Sequence, residues 1–258
     1  MNATPGRLII YDGVQQPWFA PREVGRFLRE LLPHLAIEHR GALVRQRDGL
    51  PERMCRIRVL DPLKPVDRPG RKPLKPELEY ERRLLDGSVA ASAGVVYDGN
   101  DLQRLAYGFI PEGERGEEFV HIWFTRRLFA TWDEDDGRYH ARASLYGVPS
   151  IVSTSGMVEA PARDREWYLA RRLGTHLQED PDRHLVHEDP RTTEVAKGYA
   201  LQAVLYAATG EPFCDEPTCR LYNAHWQREL LRSQLKGTIC PRHKEVLAEL
   251  ARAGSAAG

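Results

Sequence analysis

Apolar positions gather first in a short run, Arg7 to Tyr11, closed by Asp12-Gly13, a pattern that predicts a strand and its turn. Pro21 then opens a segment in which Val24, Phe27, Leu28, Leu31 and Leu32 recur at helical spacing until Pro33. A second extended run, Leu35 to His39, follows at once. Strand, helix and strand joined this tightly predict a right-handed crossover and a partly parallel sheet.

Prolines 62, 65, 69, 73 and 76 can join neither a ladder nor a helix interior, so residues 61–76 are expected to form a surface loop. Beyond it the pattern predicts a helix over 77–85, a strand over 95–97 and a helix over 101–109. Aromatic and β-branched residues then fill 119–125 and 139–146, either side of a polar hairpin tip at Asp133 to Gly137, and Ser150 to Thr154 reads as a further strand. The acidic tip lacks the alternating order and the twelfth-position glutamate of a calcium loop. An arginine-rich helix over 163–173 and a polar stretch to Asp189 lead into a helical final third. There Asp189 is the expected N-cap, Pro190 the first helical residue and Gly210 the C-terminal cap, with a further helix over about Leu221–Leu235. The expectation is an α+β fold with an α/β-like start and a mixed sheet, one domain over 1–252 and a disordered tail at 253–258.

With 258 residues, 41% of them hydrophobic, the chain can build a substantial core, which excludes global disorder. Acidic and basic residues both number 37, so no long-range field draws the chain toward nucleic acid or an anionic membrane. No stretch reaches the ~18 apolar residues of a membrane span and no secretory pattern opens the sequence, so a cytoplasmic protein is expected.

The candidate chemistry lies near the end. Cys214-x4-Cys219 and Cys240-x2-His243 offer three thiolates and one imidazole in two chelating pairs, separated by twenty residues. Zinc takes such a set tetrahedrally without ligand-field cost, and Pro217 and Pro241 stiffen the loops that present it. Four protein ligands leave no position for substrate or water, so one structural zinc per chain is expected. Cys55 is expected to be an inert buried thiol. Between the pairs, Arg220, Arg228, Arg232 and Lys236 outnumber Glu229, which keeps a zinc-stabilised interaction module touching nucleic acid as the alternative.

Helix, Gly210, Cys214-x4-Cys219 and a later Cys-x-x-ligand pair resemble the end of the archaemetzincins, zinc metallopeptidases of the zincin fold. Arg138–Arg142, Ile151–Thr154, Glu194–Gln202 and Cys219–Gln227 are closer still to a prokaryotic metallopeptidase-like family related to them. The resemblance implies a zincin-like architecture with a zinc-clamped C-terminal helical region at about 210–250, and a peptide or protein as ligand. It also places Cys214, Cys219 and Cys240 on the family's structural zinc, with His243 standing where the family has a last cysteine. The catalytic histidines fall on Ala203, Ala207 and Phe213, and the general-base glutamate on Val204. None of these can ligate zinc or activate water, so the usual hydrolysis is absent from that helix.

Other candidates have ordinary readings. His184, His187 and Glu188 match no zincin order and are expected in a solvated loop. His121 and His140 read as satisfied sheet residues, and His225 as packing near the metal. Glu194 and Lys197 read as a surface i, i+3 pair. Ser153 and Ser155 lack a nucleophile elbow, and no phosphate-binding glycine fingerprint occurs.

Overall fold

A computed structural model describes residues 4–45, 47–66, 72–89, 94–174 and 183–257. In chain order the elements are β1 (Arg7–Gly13), α1 (Pro21–Leu31), β2 (Ala36–Arg40), α2 (Leu50–Arg56), β3 (Arg58–Val59), α3 (Lys75–Leu85), β4 (Val96–Asp98) and α4 (Gly99–Tyr107). They continue with β5 (Phe119–Thr125), β6 (Leu128–Asp133), β7 (Arg138–Arg142), β8 (Ser144–Leu145), β9 (Ser150–Ser153), α5 (Thr154–Glu159), α6 (Arg165–Arg172), α7 (Thr192–Thr209), α8 (Gln227–Leu235) and α9 (Pro241–Ala257). This is the α+β class the sequence predicts, with two sheets where one was expected.

The first sheet runs β2-β1-β5-β9-β8, parallel except for β8 at its edge. The β1–α1–β2 crossover is as the periodicity predicts. The second sheet runs β3-β4-β6-β7 and mixes parallel and antiparallel pairs. The extended run at 139–146 serves both sheets. It breaks at Ala143, whose carbonyl accepts the Ser153 N–H, so β7 pairs with β6 and β8 with β9.

Two cores follow from this division. One face of the first sheet packs Leu8, Ile10, Ile122, Phe124 and Val152 against α1 and α7. The opposite face, with Ile9, Tyr11, Trp123 and Ile151, meets the second sheet through Tyr97 and Phe129. Apart from Glu194 and Lys197 near its start, helix α7 is largely apolar because it lies between the sheet and the C-terminal helices, and Val195, Ala196, Ala200, Leu201 and Ala203 are fully buried.

Several boundaries differ from expectation, each for a local reason. Asp189 does not cap α7 directly: its carboxylate takes the Arg191 N–H and guanidinium, its carbonyl takes the Thr192 N–H, and the helix begins at Thr192. Residues 221–226 are not helical, because their backbone is drawn into side pairings. Leu221 O accepts from Cys214, and Ala162 exchanges bonds with His225 and Gln227. Pro76 lies in the first turn of α3, where a missing N–H costs nothing, while residues 67–71 of the proline-rich loop lie outside the described residues. In place of a disordered tail from 253, α9 continues to Ala257, and Gly254 sits so close to His34 that a Cβ there would fall 2.1 Å from its ring. No described helix is long and apolar enough to cross a membrane.

Candidate metal centre and the adjoining cleft

Cys214 and Cys219 lie on the loop that leaves the left-handed cap at Gly210, φ 81°, and Cys240 and His243 open α9. The loops are fixed by their backbone: Cys214 N–H bonds Leu221 O at 3.0 Å, Cys219 N–H bonds Glu216 O at 2.9 Å and Arg220 N–H bonds Thr238 O at 2.7 Å. The four donor atoms all lie within 4.8 Å of one another. Cys214 Sγ stands 3.8 Å from Cys240 Sγ, and Cys240 Sγ stands 3.1 Å from His243 Nδ1. Two sulfurs bound to one zinc in a tetrahedron are ~3.8 Å apart, so the donor set fits that ion in both chemistry and size.

Electrostatics favour a cation here. Burial, reinforced by Cys219, pushes the Cys214 thiol up to about 12, so that thiol keeps its proton unless positive charge compensates it, whereas at Cys240 burial is outweighed by the His243 N–H and the neighbouring thiols, which lower its pKa. Burial and Arg242 lower the pKa of His243, which leaves the neutral imidazole that a metal requires. Glu216 N–H points at Cys214 Sγ over 3.4 Å and offers the sulfur a partner beyond the metal.

A salt-bridge network braces the centre from behind. Arg220, 3% exposed, donates to Glu194 Oε1 at 2.6 Å and to the Glu194 carbonyl at 3.2 Å, while Lys197 donates to Glu194 Oε2 at 2.6 Å. Glu194 and Lys197 are therefore not an isolated surface pair: they tie the start of α7 to the residue after Cys219. Arg220 also stacks 5.0 Å from the Phe27 ring and lies outside α8, so it is not part of a basic helical face. The alternative nucleic-acid reading loses its first cation.

The remaining sequence candidates separate. His187 Nε2 meets Glu159 Oε1 at 2.9 Å, Glu188 takes Arg126 at 3.2 Å, and His184 is buried rather than solvated. His121 is buried between Tyr11 Oη at 3.1 Å and Glu114 O at 2.6 Å, and His140 stands 2.7 Å from Asp136. Ser153 Oγ caps α5 and donates to Arg127 O, and Ser155 Oγ donates to Arg126 O. Cys55 is fully buried. His225 is exposed, belongs to no metal-ligating group among the described residues and instead lines a cleft.

That cleft, of about 280 Å³, lies beside β8 and α7 and is lined by Arg142, Ser144, Tyr199, Gln202, Phe213, Tyr222, Asn223 and His225. Tyr146, just past β8, roofs the adjoining turn of α7. Its hydroxyl donates to Gln202 Oε1 at 2.5 Å and accepts from Ser144 Oγ at 2.9 Å, and its ring packs 6.0 Å from Tyr206 and 5.9 Å from Phe213. Gln202 in turn donates to Leu221 O at 3.1 Å. Ala203 and Val204 are buried in the body of α7, Ala207 is half-buried, and Phe213 is partly exposed against Tyr146. Sequence reasoning missed this network, for no spacing links Ser144, Tyr146 and Gln202.

Among curated proteins none matches the chain. Two solved structures are similar over nearly the whole length. One is an archaemetzincin from Methanopyrus kandleri, at 13% identity and a TM-score of 0.47, covering 97% of each chain. The other is a zinc-dependent peptidase from Methanocorpusculum labreanum (strain Z), at 13% identity and 0.47, covering 94% of this chain and 99% of that one. Residues 4–250 match the family described as "Probable metallopeptidase family (DUF6775)", and over that span the chain belongs to it.

Proposed function

We propose that this protein is a metallopeptidase relative that binds a peptide or protein segment without hydrolysing it, and that it carries one structural zinc. The observation that carries the reading is the split between two sites. Cys214, Cys219, Cys240 and His243 bring four donor atoms within 4.8 Å, whereas the turn of α7 beneath Tyr146 presents Gln202, Ala203, Val204 and Ala207. The family's hydrolytic zinc would need imidazoles at Ala203, Ala207 and Phe213. Methyl groups and a phenyl ring offer it nothing, and no carboxylate stands at Val204 to take a proton from water.

When bound at Cys214, Cys219, Cys240 and His243, zinc supplies fold stabilisation, since a saturated tetrahedral ion has no vacant position for Lewis-acid chemistry. The chain's own residues do the rest. Arg220 and Glu194 hold the first cysteine loop against α7, Tyr146 and Gln202 close the space above that helix, and Tyr199, Tyr222, Asn223 and His225 line the cleft as mixed aromatic and polar contacts for a segment. The reading takes residues 1–252 as one domain, and its reduced cysteines suit the cytoplasm.

The test combines metal quantitation with a peptide-library assay on the full chain. One zinc per chain that survives dialysis against a weak chelator, with peptide capture reduced by Tyr199→Ala and no cleavage, supports the reading. A second, chelator-labile metal required for peptide hydrolysis overturns it, as does salt-dependent binding to RNA or DNA in place of peptide.

A further inference from the structure

We propose that the Cys3His centre is an oxidant-responsive clamp, in which Cys240 is the attacking thiolate and Cys214 the partner that closes a disulfide with it. The inference rests on the zinc reading above and goes beyond it. The three sulfurs are not equivalent. Cys219 is 1% exposed and Cys214 6%, whereas Cys240 is half-buried; Cys240 and Cys214 both line a groove of about 500 Å³ with Asp215, Thr218, Ile239 and Arg242, and Cys219 does not. A small oxidant reaches Cys240 first. Cys214 Sγ stands 3.8 Å from it, with the more deeply buried Cys219 Sγ within 4.8 Å, so a bond of ~2.05 Å to Cys214 requires the two loops to close by less than ~2 Å.

The oxidant class is a peroxide. The Cys240 thiolate attacks one peroxide oxygen, the O–O bond breaks, and hydroxide leaves to be protonated to water. The resulting sulfenic acid is attacked by the Cys214 thiolate, the S–O bond breaks, and a second hydroxide leaves and is protonated. Two thiolates have then lost two electrons to one peroxide, which has become two waters, and a zinc held by this set would lose two of its four ligands. Cys219 and His243 alone cannot retain it.

The geometry also makes the change reversible without unfolding. Cys214 follows the cap of α7 and Cys240 precedes α9, so the new bond joins the same two elements that the metal joined. Leu247 and Leu250 keep α9 docked on the core. The loops at 214–219 and 238–243 rearrange while the fold persists, and a dithiol with free zinc restores the clamp.

The experiment treats the zinc-loaded full chain with hydrogen peroxide. It follows metal release with a chromogenic chelator and maps cysteines by intact mass and by proteolysis under non-reducing conditions. Expected are release of the bound zinc, loss of two hydrogens, a Cys214–Cys240 cross-link with Cys55 reduced, and recovery of zinc after dithiothreitol. Cys240→His, which keeps a tetrahedral donor set, is expected to release zinc at least about tenfold more slowly. Zinc retained after peroxide has oxidised an equal concentration of free cysteine overturns the proposal, as does a cross-link to Cys219 or conversion of Cys240 to the sulfinic acid with no cross-link. A protein purified without zinc at this centre overturns the structural-zinc reading before peroxide is added. Zinc present but unresponsive overturns only this inference.

Discussion

Tyr146 donates its hydroxyl proton to Gln202 across 2.5 Å, joining the residue that follows the antiparallel edge strand β8 to the helix α7. Burial holds the phenol well above its usual range, so it remains a donor around neutral pH. Tyr146→Phe leaves Gln202 Oε1 without that donor, while Gln202 still donates to Leu221 O. The expected loss is about 1 kcal/mol, at the low end for a deprived acceptor because the site is half-buried. Urea titration measures it; a loss near zero would mean that water replaces the phenol freely.

Arg220→Met tests the brace behind the metal. The substitution keeps the packing on Phe27 but leaves Glu194 with only Lys197. Glu194 is partly exposed and keeps a partner, so the expected cost is about 1–3 kcal/mol and not the larger penalty of a stranded buried ion. Zinc content should be unchanged. Concurrent loss of zinc would show that the backbone bonds of Cys214 and Cys219 do not keep the donor set together without this brace.

At the centre itself, Cys219→Ser is expected to lose the metal and lower stability by several kcal/mol, because metal binding and folding share one free energy. His243→Cys should retain zinc, since a fourth thiolate serves equally well. Atomic absorption on both variants decides: zinc kept by Cys219→Ser, or lost by His243→Cys, would remove the altered residue from the tetrad.

The buried His121 makes stability pH-dependent. Burial lowers its pKa below the ordinary 6.5, partly offset by the Glu114 carbonyl. Between the folded and unfolded values the unfolded chain binds more protons, so stability rises with pH across that window. The contribution is complete above about 6.5 and is lost as pH falls through the folded value. His121→Gln should therefore show a flatter fall in stability from pH 7 to 5 than the wild type. His34 and His39, also lowered by burial, continue to contribute in both proteins. Parallel curves would assign the dependence to those residues.

Local spacing made the β1–α1–β2 unit and the two pairs Cys214–Cys219 and Cys240–His243 legible, because each is written in residues close together, and the structure brings the two pairs into one cluster. What escaped was set by partners distant in sequence. The run at 139–146 looks continuous, yet Ser153 takes the Ala143 carbonyl and divides it between sheets. β6 shows itself only in its pairing with β4 and β7, and Arg220 looks like one of a basic series until Glu194, 26 positions earlier, is brought beside it. Residues 221–226 carry helical spacing, but the pairings with Cys214 and Ala162 outweigh propensity. Tyr146 had no motif to announce it, since its meaning lies in what α7 lacks.

The seat of Gly254 on His34 fixes the far end of α9, the helix whose start carries Cys240 and His243 and whose apolar side, with Leu247 and Leu250, covers the core. One helix thus couples the completion of the donor set to the closure of the core.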